Sequence, residues 1–178
     1  TPPDGAMWLT YSMNKEDMWV SKVPVPVKTK ETAHIAEDFG RYQHISKLSE
    51  WNLYSPLHAP VSVNRVAGKG WLTLADRDPF DYARAERIIP ETKELKTSFL
   101  FRAEQKTQGV FRIEFLNAQG QACTRLEFTA DGTFRAKGGA RWANLMKYEP
   151  GVVYLIEAEL SVANRSVQIY ANGKNVGT

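Results

Sequence analysis

Hydrophobic and polar positions alternate with a period of two through most of the chain, and that period predicts strands. In "GVFRIEFLNAQG" Phe111, Ile113 and Phe115 fall on one side and Arg112 and Glu114 on the other, with a turn at Asn117 to Gly120. "ACTRLEFTADG" repeats the arrangement: Leu126 and Phe128 point inward, Arg125 and Glu127 outward, and Asp131-Gly132 supplies a positive-φ turn. "GVVYLIEAELSVANRSVQIYANGK" predicts a further pair, turning at Ala163-Asn164-Arg165 and ending at Asn172-Gly173. Clean alternation gives each of these strands one buried and one wet face.

"ELKTSFLFRAEQ" and "GWLTLADRD" read as strands, with "PVSVNRVAGKG" running into the latter as a hairpin. "DPFDYARAERIIP" fits neither period well: Tyr82, Ala85 and Ile88 are spaced for a short helix after Pro79, or the segment is an irregular crossing. Near the start, "WLTYSMNKEDMWVSKV" reads as a hairpin in which Trp8, Thr10 and Ser12 alternate with Leu9 and Tyr11. Pro24 and Pro26 then remove two backbone donors, so the chain from Val23 to Val27 is an edge strand or an extended connector. Residues 28–43 are polar, mixed in sign and without period, as in a linker.

About ten strands with almost no helix predict two antiparallel sheets packed face to face. The expected core is Trp71, Leu72, Leu74, Phe99, Phe101, Phe111, Ile113, Phe115, Leu126, Phe128, one of Leu155 and Ile156, Leu160, Val167 and Ile169.

Charge narrows the function classes. The 23 basic and 20 acidic residues of this 178-residue chain are interspersed, leaving a net charge of +3 and no phosphate-tracking stripe, so nucleic acid is not an expected partner. No apolar run approaches the roughly 20 residues of a membrane-spanning helix. The single cysteine, Cys123, excludes an internal disulfide and a cysteine-rich metal site, and its strand context predicts a buried, inert thiol.

Two sets of residues resemble known proteins. "YLIEAELSVANRSVQIYANGK" resembles the penultimate hairpin of concanavalin A-like, laminin-G-like jelly rolls, in which a further strand follows the Asn-Gly turn. On that resemblance the sandwich, residues 44–178, continues beyond Thr178. "MWLTYSMNKEDMWVSKVPVPV", "WNLYSPLHAPVSV" and "DRDPFDYARAERIIPE" together resemble the junction in secreted bacterial sialidase-like (BNR-type) proteins, where a β-propeller ends and a jelly-roll module follows. The resemblance implies that residues 1–27 close a blade of an upstream propeller and that the rest is an accessory module of a secreted or periplasmic polysaccharide-degrading protein. It also implies that any glycoside hydrolase or lyase chemistry lies upstream, since no Ser-x-Asp-x-Gly-x-Thr-Trp box occurs here.

Candidate chemistry within the chain is sparse. Glu157 and Glu159 share a strand face roughly 7 Å apart, but the third acid of the usual concanavalin-like glycosidase motif is missing, and two solvated carboxylates are the competing reading. His34, His44 and His58 lack an acidic orienter nearby in sequence, including His58, which follows Trp51 and Tyr54. Asp76, Asp78 and Asp81 are close enough for a structural Ca²⁺, although Arg77, Arg84 and Arg87 offer them salt bridges instead. In "GGARWANLMKYEPG" a glycine-flanked loop would expose Trp142 beside Arg141, Lys147 and Tyr148, the ring-plus-polar set that an oligo- or polysaccharide requires; core packing of Trp142 is the alternative.

Overall fold

The computed structural model describes residues 5–13, 17–24 and 33–177. The chain forms two compact units, Thr1–Pro90 and Glu91–Thr178.

In the first unit β1 (Ala6–Met13) and β2 (Asp17–Pro24) form the expected antiparallel hairpin. Alternation places Trp8 on the opposite face from Leu9, Tyr11 and Trp19, and all four side chains are exposed. β3 (Trp51–Tyr54) pairs with β6 (Arg84–Arg87), and β4 (Val61–Val66) pairs with β5 (Lys69–Leu74). The segment that offered helical spacing therefore contributes a strand. Ahead of it, the Asp76 and Asp78 carboxylates accept the amides of Asp78 and Phe80, both at 2.9 Å, a local pattern that competes with helix.

Part of the stretch read as a linker is tied into this unit. Glu37 accepts hydrogen bonds from Arg41 at 2.8 Å, Tyr42 at 2.9 Å and the Trp51 indole at 3.1 Å, while Arg87 lies 3.8 Å away. Burial alone would raise the Glu37 pKa, but these donors more than reverse that and hold it below its ordinary value. Gly40 and Gly70 let two backbones touch: a Cβ on Gly70 would stand 2.0 Å from the Gly40 nitrogen.

The second unit is an antiparallel β-sandwich. One sheet has the order β8 (Val110–Leu116), β9 (Ala122–Thr129), β10 (Thr133–Gly138), β11 (Arg141–Lys147). The other has β7 (Glu94–Arg102), β12 (Val153–Ser161), β13 (Ser166–Ala171), β14 (Lys174–Gly177). Leu126, Phe128, Phe134 and Ala136 from the first sheet meet Phe101, Ile156, Ile169 and Ala171 from the second in one cluster. Rings stack through its centre, Phe101 on Phe128 at 3.6 Å and Phe128 on Phe134 at 4.3 Å between centroids.

Several expectations change here. Ile156 is fully buried while Leu155 is exposed, which resolves that alternative. Trp71, Leu72 and Leu74 belong to the first unit, are not members of the sandwich cluster and are only half-buried. Cys123 is exposed. It lies at a bulge, where Phe115 faces Thr124 but Leu116 faces Ala122, so its strand position has no direct partner and it escapes the burial expected of it. A strand does follow the Asn-Gly turn: Asn172 and Gly173 take φ of 50° and 76°, the geometry of a tight hairpin turn, and β14 returns along β13.

Candidate carbohydrate-binding face

The outward residues of β8 to β11 form two rows across the sheet. Strand register sets Arg112, Glu127, Arg135 and Asn144 side by side in one row, and Glu114, Arg125, Lys137 and Trp142 in the next. The inward residues between them are the aromatic and aliphatic side chains of the core, so packing below holds the polar rows in place.

Glu127 is the fixed point of this face. Only 1% of its surface is exposed, although it lies on the outer side, because arginines from both neighbouring strands lie over it. Arg112 donates Nε to Oε1 at 2.8 Å and brings a terminal nitrogen to 2.7 Å. Arg135 donates Nε and Nη2 to Oε2 at 2.9 and 2.7 Å. Burial pushes the Glu127 carboxyl up, and the hydrogen bonds and charges of Arg135 and Arg112 outweigh it, leaving the pKa below its ordinary value.

Arg135 has a second contact. Its guanidinium carbon is 4.4 Å from the centre of the Trp142 ring, and Lys137 Nζ is 5.8 Å from the same centre. Trp142 keeps 36% of its surface exposed. An indole held by a cation that is itself held by a buried carboxylate is an oriented platform, the element a pyranose ring stacks on.

The structure separates the residues grouped in sequence. Trp142 and Arg141 lie at the start of β11, which is an edge strand and not a glycine-flanked loop. Lys147 lies at its other end, roughly 16 Å along the strand at about 3.3 Å per residue, where Nζ meets Thr133 Oγ1 at 2.6 Å. Tyr148 is not part of the face. It is only 3% exposed, packs edge-on against Phe128 and donates its hydroxyl to the Thr129 carbonyl at 2.7 Å. Burial pushes its pKa up, which keeps that donor protonated. Arg135 and Lys137, which complete the platform, were missed; the "TFRAKG" alternation of Phe134 and Ala136 against Arg135 and Lys137 carried the signal.

The remaining candidates fall elsewhere. Glu157 and Glu159 are on the outer side of the other sheet, and Glu159 is bonded to Lys96 at 2.6 Å, which raises the lysine pKa. Lys96 and Glu159 border a shallow groove of about 430 Å³ that also takes in Glu94, Ser161 and Gln168. Asp81 accepts the Tyr54 hydroxyl and the Tyr82 amide, each at 2.9 Å, so the three aspartates serve turns and a ring contact. Among the described residues no three His, Cys, Asp or Glu side chains converge as a cation would need. His44 Nδ1 accepts the Ser46 amide at 3.2 Å at the start of a single 3₁₀ turn, and His34 and His58 are exposed.

The second unit is a two-sheet sandwich that displays an oriented indole among basic side chains on one outer face. Residues 51–178 match the family described as Sialidase-like, CBM domain, and the chain belongs to that family of sialidase-like carbohydrate-binding modules. A solved structure titled "Sialidase" superposes with a TM-score of 0.84 at 52% sequence identity, covering 99% of this chain and 16% of that one. A search of curated proteins found no match.

Proposed function

We propose that the chain is a carbohydrate-binding accessory module, a concanavalin A-like jelly roll within a secreted or periplasmic bacterial protein that degrades polysaccharides. The observation that carries this reading is the Trp142 indole, exposed on an edge strand and oriented by Arg135. In this reading residues 44–178 are the module, residues 28–43 the connection, and residues 1–27 the closing hairpin of an upstream BNR-type propeller. The match to only 16% of the sialidase chain supports a parent with further domains. Glycoside hydrolase or lyase activity then belongs to the upstream part.

The test is a glycan-array and affinity-electrophoresis screen of the 178-residue chain with and without Ca²⁺, beside Trp142→Ala. Specific retention that disappears in the variant is the expected result. No retention under either condition rejects the reading. Turnover of a polysaccharide by this chain, abolished by Glu157→Gln, would instead make it an enzyme.

A further inference from the structure

We infer that the Trp142 face selects saccharides bearing a carboxylate over their neutral counterparts, an inference that rests on the carbohydrate-binding reading above. The two rows across β8 to β11 hold four cations, Arg112, Arg125, Arg135 and Lys137, against two carboxylates, Glu114 and Glu127. That leaves two positive charges in excess. Arg125 is paired with Glu114, and the single charge of Glu127 is shared by Arg112 and Arg135. Lys137 makes no ion pair with the described residues, yet it lies with Arg135 around one ring. Like charges gathered on one exposed indole repel each other, and an anion among them relieves that repulsion.

Shape agrees with charge. Beside Lys137 the sheet has a depression of about 130 Å³, lined by Ala122, Cys123, Thr124, Arg125, Lys137 and Gly139, with no acidic residue in the lining. At about 30 Å³ per water this is on the order of four water volumes, room for a carboxylate and its neighbouring carbons. Arg125, Lys137 and Trp142 lie side by side on consecutive strands, so the depression and the indole are roughly 10 Å apart at about 4.8 Å per strand. Two linked sugar residues bridge that interval, one with its carboxylate between Arg125 and Lys137 and the other with its apolar face toward Trp142. The rim is open, since nothing stands within 4 Å of a Cβ position on Gly138 or Gly139, and exposed Arg141 adds a further cation there.

The experiment compares matched probes by affinity electrophoresis and titration calorimetry: trigalacturonate against its methyl ester, and sialyllactose against lactose. The expected result is tighter binding of at least one acid than of its neutral counterpart, by a margin that shrinks as salt rises. Lys137→Gln should lower the affinity for that acid about two- to fivefold, while Lys147→Gln at the far end of β11 leaves it unchanged. Equal binding of acid and neutral forms overturns the inference and leaves the carbohydrate-binding reading standing. If the array shows retention of neutral glycans alone, lost in Trp142→Ala, the inference again fails by itself; an empty array rejects both.

Discussion

Arg135 grips the buried carboxylate of Glu127 through two nitrogens at 2.7 and 2.9 Å, and the same guanidinium lies over the Trp142 ring. A group hidden on the outer side of the sandwich therefore orients the group that is displayed. The arrangement makes Glu127 a stability determinant with a defined pH dependence. Its folded pKa is depressed below the ordinary value of 4.5, so its stabilisation is present above that value and is lost as pH falls through the lower folded one.

Glu127→Gln is expected to cost about 1–3 kcal/mol at pH 7, below the full cost of breaking a buried pair because both arginines can rehydrate. Urea denaturation of both proteins checks this, and the gap between them should narrow as the pH is lowered below 4.5 and through the depressed pKa of Glu127. An undiminished gap at acid pH would mean that the charge of Glu127 is not what matters.

Ile156 and Leu155 are chain neighbours on opposite faces of β12. Ile156→Ala should cost about 2–5 kcal/mol through the cavity it leaves, while Leu155→Ala, already exposed, should stay within about 1 kcal/mol. Equal losses in denaturation midpoints would place the sandwich core on the wrong face of the strand.

Tyr148→Phe separates structure from recognition. Removing the hydroxyl that serves the Thr129 carbonyl should lower stability by about 1 kcal/mol and leave glycan retention as it was. Retention lost while the fold persists would return Tyr148 to the binding face.

The β1–β2 hairpin exposes Trp8 at 58%, Trp19 at 50% and Met18 at 78%. Apolar surface of this kind drives association, so the 178-residue chain should show concentration-dependent self-association in sedimentation velocity. Trp8→Ser with Trp19→Ser should reduce it; a monomer at all concentrations would show that these side chains do not act as a contact surface.

Much of this architecture was legible in the alternation. Phe111, Ile113, Phe115, Leu126 and Phe128 all reach the core or pack against it, and Asn172-Gly173 makes the turn its residues demand. Tyr154 was not read as core, because it sits in the uniformly apolar run "VVYLI", where no polar neighbour marks the buried face. Phe134 and Tyr148 were not, because each lies in a stretch too short or too mixed in polarity for its period to stand out. For the same reason β11 was read as a loop: it is an edge strand whose first four residues are all exposed, so burial leaves no mark on that part of its sequence.

By itself, then, the sequence determined the class of fold and which side chains share a face within each strand, since a period of two is a local property of the backbone. Only the tertiary structure decided which strands stand together. Arg112 and Arg135 meet over Glu127, and Arg125, Lys137 and Trp142 form one row, because β8 to β11 pair in a particular register. That register is set by burying Leu126, Phe128, Phe134 and Ala136 against a second sheet, and a one-residue slip would turn the charged rows into the core.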